Sequence, residues 1–107
     1  MVKQLESLIT DKCLRYLDDL IAQDKPIFYE HRSGSVGFSY KKGIPDTWFT
    51  VNGIHVECEL KTPYGHRSTL QEKYELIFKS RNIRYICPKS FEEFKEYVDK
   101  ILSENDL

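Results

Sequence analysis

No stretch of this 107-residue sequence approaches the roughly 20 consecutive apolar residues that a helix needs to cross a bilayer. A helical membrane span is therefore excluded. Glycine and proline number only 5 and 4, too few for a collagen-like or linker-like chain. Repeats and low-complexity runs are also lacking, so one compact unit over residues 1–107 is expected. The three cysteines, Cys13, Cys58 and Cys87, cannot all pair within the chain, and no CxxC is present. They read as small buried hydrophobes. His31, His55 and His66 lack helical metal spacing, which argues against a zinc site. Glu6 and Asp11 interrupt the N-terminal segment, so it does not read as a signal peptide. A soluble, intracellular protein is expected.

What is present is enough for a folded domain. Hydrophobic residues make up 40% of the chain and aromatics 13%, a globular composition rather than a disordered one. Net charge is −1 but unevenly spread. Residues 1–30 carry 4 basic and 6 acidic side chains, residues 31–90 carry 10 and 5, and residues 91–107 carry 2 and 6. Positive charge is thus concentrated in the middle of the chain, where a local basic face can hold phosphate whatever the total.

Periodicity gives the order of elements. Leu5, Leu8, Ile9, Cys13, Tyr16, Leu17, Leu20 and Ile21 recur at helical intervals and predict a helix over roughly 3–23. Pro26 closes that region, and 27–31 reads as a short strand. Residues 32–43 form a mobile loop or an irregular hairpin. Two β-type runs, 47–51 and 54–61, flank Asn52-Gly53, the strongest short-range signal for a two-residue hairpin. Ser68 opens a helix reaching about Arg81, with Leu70, Tyr74, Ile77 and Phe78 on one face. A strand follows at 83–87, bounded by Pro88. Ser90 and Glu93 form a capping box for a last helix, whose apolar face is Phe91, Phe94, Tyr97 or Val98, Ile101 and Leu102. The order α-β-β-β-α-β-α implies an α/β (α+β) fold, a mixed β-sheet flanked by helices.

The hairpin carries the chemistry. In a two-residue hairpin, paired residue numbers have a constant sum, so Val51 opposite Ile54 puts Thr47 opposite Cys58 and Asp46 opposite Glu59. Alternation then sends Phe49, Val51, Ile54, Val56, Cys58 and Leu60 to one face, and Asp46, His55, Glu57, Glu59 and Lys61 to the other. Opposed carboxylates about 5 Å apart repel, and either raise a pKa or recruit a cation. Lys61 supplies one positive charge, and a Mg²⁺ or Mn²⁺ ion suits the oxygen donors. An exposed, salt-bridged strand face is the plain alternative. Glu6 adds weight to the first reading. It falls among Val2, Ile9, Cys13, Leu17 and Leu20 on the apolar stripe of the first helix, where a carboxylate is costly unless paired or metal-bound. Its own alternative is a first-turn acid favouring the helix dipole.

The ordered set Gly43-Ile44-Pro45-Asp46, Glu59-Leu60-Lys61 and Ser68-Thr69-Leu70-Gln71 resembles the PD-(D/E)XK nuclease superfamily with its αβββαβ, restriction-endonuclease-like core. More narrowly, it is similar to the VRR-NUC family, in which a GxPD turn, an ExK strand and a helix with an early Gln follow one another. The likeness runs from Glu6-Ser7 to the 83–87 strand. It implies Asp46 and Glu59 as ligands of Mg²⁺ (or Mn²⁺), with the Leu60 backbone carbonyl a further ligand and Glu6 completing or hydrating the shell. Lys61 would orient or activate the attacking water and stabilise charge on the phosphate. Gln71 would face the site, although Ser68-x-x-Gln71 is equally a capping box.

The implied activity is metal-assisted phosphodiester hydrolysis by a DNA endonuclease, with no small-molecule cofactor. Lys41, Lys42, His66 and Arg67 flank the motif residues and are candidates for gripping the DNA backbone. Small stand-alone members of phage type resemble homodimeric resolvases of four-way (Holliday) junctions, which points to branched DNA and to the cytoplasm of a bacterium or phage-infected host. A flap, nicking or single-strand nuclease is the first alternative, and a catalytically inactive DNA-binding module the second.

Overall fold

The computed structural model describes residues 2–32 and 43–104, with side chains described from Leu5 onward. The expected loop or hairpin at 32–43 therefore lies almost wholly outside the described residues, as do Lys41, Lys42 and the Val2 side chain. The element order is α1 (Val2–Ala22), β1 (Ile27–His31), β2 (Thr47–Val51), β3 (Ile54–Cys58), α2 (Thr69–Ser80), β4 (Arg84–Ile86) and α3 (Phe91–Glu104). This is the α-β-β-β-α-β-α order read from periodicity. None of the described helices is long and apolar enough to cross a membrane.

α1 buries Ile9, Cys13, Leu17 and Leu20 as one stripe, while Leu5, Leu8 and Ile21 remain exposed. It stops where Asp24 turns left-handed at φ 60 and the Lys25 N–H bonds back to the Leu20 carbonyl at 3.0 Å, a helix closure that spares the last carbonyls. The four strands lie in the order β1-β2-β3-β4. β1 and β3 run antiparallel to β2, and β4 runs parallel to β3.

The β2–β3 turn sets the register. Asn52 and Gly53 both take positive φ, 53 and 79, as a turn matched to the strand twist requires. Val51 then faces Ile54, and Thr47 faces Cys58. The β3 pairing with β2 ends there, because the next bonded position would need an N–H from Pro45, which has none; the Asp46 carbonyl faces β1 and accepts the Arg32 N–H at 2.6 Å. The other edge continues further. Glu59 N–H bonds the Ile86 carbonyl and Lys61 N–H bonds the Pro88 carbonyl, at 2.9 and 3.1 Å. The expected strand 54–61 is therefore β3 plus a one-sided extension. The expected strand 83–87 shortens to β4.

α1 and α3 cover one sheet face. Phe49 of β2 meets Phe94 of α3 edge-on at 5.6 Å, and Phe94, Val98 and Ile101 are the buried residues of α3, so Val98 rather than Tyr97 completes its stripe. Ser90 caps α3 through the Glu93 N–H, while the Glu93 carboxylate takes the N–H of Lys89 instead of Ser90. α2 lies on the other face beside β4, where Phe78 stacks on Tyr85 at 6.2 Å. It buries no residue completely, and Leu70, expected on its inner face, is exposed. Cys13 and Cys58 are buried free thiols; burial lifts Cys13 to about 12 and Cys58 well above its ordinary value, so both act as packing groups.

One glycine ties the loop before β2 to α2. Gly43 has φ +85, and a Cβ there would stand 2.5 Å from the Leu70 Cβ and 2.8 Å from the Leu70 carbonyl carbon. Gly53 has a similar φ with open space around it. Gly53→Ala is accordingly expected to cost about 1–2 kcal/mol, the strain of an L-residue in left-handed backbone. Gly43→Ala should cost about 1–3 kcal/mol more, from the added clash. Urea unfolding of both variants checks the difference.

Candidate active site

Asp46 and Glu59 meet at the end of the β2–β3 hairpin. The Leu60 N–H reaches the Asp46 Oδ1 at 3.4 Å, which seats the aspartate beside the Glu59–Leu60 peptide. Glu59 is only 4% exposed. Its carboxyl is pushed up to about 8, chiefly by burial and then by the neighbouring Asp46, against an opposing pull from Lys61. Asp46 is raised as well, by burial first, although the Leu60 N–H, His31 and Thr47 hydroxyl each draw it back. Two acids that disfavour each other's ionisation, with one lysine beside them, make a centre short of positive charge. The plain alternative of an exposed, salt-bridged strand face does not describe it.

The neighbouring acid on β3 shows the contrast. Glu57 is also buried, but it is met by Arg32 through Nη1–Oε1 at 2.8 Å and Nη2–Oε2 at 3.3 Å. His55 Nε2 lies 2.5 Å from Oε2. The same Arg32 also donates to the Pro45 carbonyl at 2.8 Å, holding the turn that carries Asp46. Arg32 and its pairing were not found from sequence. The signal that could have found them is the β1–β2 register, which no two-residue turn motif in the sequence specifies.

Glu6 is half-buried and lies on the stripe of Ile9 and Cys13, as the helical wheel placed it. It shares with Asp46 a cleft of about 410 Å³ lined also by Ser7, Thr10, Asp11 and His31, and its charge raises both Asp46 and Glu59. His31, likewise not singled out from sequence, is hydrogen-bonded through Nδ1 to the Thr47 Oγ1 at 2.8 Å. Among the described residues, no three His, Cys, Asp or Glu side chains stand together as a ready-made metal cage. Asp46 and Glu59 are thus brought together, with Glu6 across the cleft.

Neither a family model nor a curated protein sequence matches the chain. A solved structure described as a VRR_NUC domain superposes with a TM-score of 0.67 at 15% sequence identity, covering 95% of this chain and 97% of that one. The chain has the fold of a VRR_NUC domain. At that identity the likeness is one of fold, and the chemistry must come from the residues themselves.

On this VRR_NUC-like fold the other expected residues divide. Lys61 follows Glu59 on the β3 extension, its aliphatic stem passing Gly65. Gln71 uses its amide oxygen to accept the Ser68 N–H at 2.8 Å, while its own N–H donates to the Ser68 hydroxyl at 3.2 Å, so the capping box is formed in full. Arg67 is paired with Glu75 of α2, which also holds Lys79 at 2.6 Å, yet its charge still reaches Glu59. His66 is exposed.

The raised Glu59 sets a pH dependence. A proton binds Glu59 more tightly in the folded chain than in the unfolded one, so without added cations stability should fall as pH rises from about 4.5 to about 8 and level off above. The change is about 5 kcal/mol at most, at about 1.4 kcal/mol per pH unit over the interval from 4.5 to about 8. Urea unfolding in EDTA across that range should show the slope. Glu59→Gln should flatten most of it; a variant with the wild-type slope would refute the assignment.

Proposed function

We propose that this protein is a metal-dependent DNA endonuclease that hydrolyses phosphodiester bonds in branched DNA. The observation that carries the reading is the buried Glu59 beside the partly buried Asp46, two carboxylates set against the single ammonium of Lys61. Mg²⁺ is held by one or two carboxylates and keeps several waters, so a two-carboxylate site fits it, or Mn²⁺, without a third side chain. Asp46 and Glu59 would hold the ion. An extended backbone directs a residue's carbonyl to the same side as its N–H, so the Leu60 carbonyl, on the Asp46 side, would join them. Glu6 would act across the cleft through ordered water.

When bound, the ion polarises the phosphate and lowers the pKa of a coordinated water. The chain's own part is placement. Lys61 brings an ammonium with three N–H donors to the side where negative charge grows on the phosphate, and it can orient the attacking water. Glu59 in its ionised form would offer a carboxylate oxygen as acceptor for the attacking water's hydrogen. The Leu60 N–H and the Arg32 bond to the Pro45 carbonyl keep Asp46 seated. In this reading Gln71 supports the site as the cap of α2, and the catalytic part first considered for it is a lesser one. Lys41, Lys42 and His66 are proposed contacts to the DNA backbone, with Arg67 joining them if a phosphate displaces Glu75.

For substrate we propose branched DNA, with the four-way junction first, cut by a homodimer that presents two centres to a symmetric junction. Wild-type protein with Mg²⁺ or Mn²⁺ is expected to cleave a labelled junction in preference to linear duplex, and EDTA should abolish the cleavage. Lys61→Ala and Asp46→Asn should each lower the rate by about 10²–10⁴-fold. A wild-type protein as inert as Lys61→Ala on branched, nicked, single-stranded and linear DNA would leave a DNA-binding module instead. Cleavage without preference for the junction would keep the nuclease and discard the resolvase.

A further inference from the structure

The sheet face opposite α1 and α3 carries an aromatic strip that the catalytic reading does not use. Phe28 on β1, Trp48 on β2 and His55 on β3 follow one another across three neighbouring strands. Phe28 and Trp48 have ring centroids 5.8 Å apart, and Trp48 and His55 are stacked at 5.2 Å with 28° between planes. Phe28 is 63% exposed and the His55 side chain 43%. α2 leaves the strip uncovered, since it packs by β4. The strip is also braced. Trp48 Nε1–H donates to the Glu30 carboxylate at 2.9 Å, and His55 is tied to Glu57, which Arg32 holds in turn.

Resting on the nuclease reading, we propose that Phe28, Trp48 and His55 form a stacking platform for unpaired DNA bases beside the scissile phosphate. Cross-strand aromatic pairs also stabilise sheets, but stability rewards burial, and Phe28 is largely in water. Base faces are flat and apolar, and they stack on aromatic rings without regard to sequence. This face offers no surplus of positive charge, since Arg32 is paired with Glu57 and the Glu30 carboxylate is held by the neutral Trp48 indole. Such a surface suits bases rather than phosphates. The strip also adjoins the candidate centre. Trp48 lies two residues after Asp46 on the same side of the chain, about 7 Å along it, so a strand whose phosphate sits at Asp46 and Glu59 would lay its next bases on Trp48. Paired bases hide their faces, so the platform selects DNA that is open at the cut: a branch point, a flap or a frayed end.

Trp48 is the sole tryptophan, so its emission reports on the strip alone. A short oligothymidylate titrated into the full chain in EDTA is expected to quench that emission to saturation. A blunt duplex of equal length should leave it nearly unchanged. Phe28→Ala should weaken single-strand binding, followed by anisotropy of a labelled oligonucleotide, by about 5–100-fold while duplex binding holds. Anisotropy showing single-strand binding with no response at Trp48, or equal quenching by duplex, would overturn the platform and leave the nuclease reading intact. Emission that changes with protein concentration and ignores DNA would make the strip a self-association face and also overturn it. If neither DNA binds, the platform falls, while the nuclease reading is decided separately by cleavage with Mg²⁺.

Discussion

Everything at the candidate site follows from one electrostatic constraint: a hairpin register that sets two acids opposite each other where water is largely excluded. Asn52 and Gly53 take the left-handed backbone of a tight turn, and the pairing they impose leaves Asp46 and Glu59 as the next residues beyond Thr47 and Cys58. Burial alone would raise both acids, and proximity raises them further. The fold meets this cost locally. The Leu60 N–H leans on Asp46, Lys61 follows on the same strand extension, and β4 holds that extension in place through Glu59 and Lys61 N–H groups. What is left is a centre whose charge only a proton or a cation can balance.

The comparison within β3 makes that imbalance informative. Glu57 and Glu59 are two residues apart, share a face and are both buried. Glu57 has Arg32 across it in a two-pronged pair and His55 beside it. For Glu59 the opposing influences among the described residues are Lys61 and the more distant Arg67, and they do not prevent its rise to about 8. A structural acid is given a fixed partner, because an uncompensated buried charge is expensive. An acid meant to exchange partners cannot be. The difference between these neighbours is the physical case for function at Glu59.

Much of this was legible in the sequence because it depends on short-range rules. Strand periodicity, the Asn52-Gly53 turn and the Ser68 and Ser90 caps fix conformation within a few residues, and the hairpin sum extends that to Asp46 and Glu59. The helical wheel placed Glu6 correctly for the same reason. Contacts between elements that are distant in the chain were not legible. Arg32 reaches Glu57, and Phe28 reaches Trp48, only through the β1–β2 register, which no local turn specifies. Gln71 shows a different limit. One residue type at one spacing satisfied both a motif and a cap, and only geometry could show that its amide oxygen serves the cap.

Net charge misleads for a related reason. A total of −1 sits badly with a DNA partner only if charge is averaged over the surface, whereas screening confines exposed charges to their own neighbourhood, about 8–10 Å at physiological salt. The acidic C-terminal helix packs through Phe94 onto Phe49, behind the sheet face that bears Trp48 and His55. Its acids therefore look away from that face, with the sheet between. The basic middle segment supplies both the strand extension with Lys61 and the loop with His66 and Arg67. The acids of α3 thus stand behind the sheet, while those that alternation puts on its front, Glu57 and the pair Asp46 and Glu59, are set against Arg32 and Lys61.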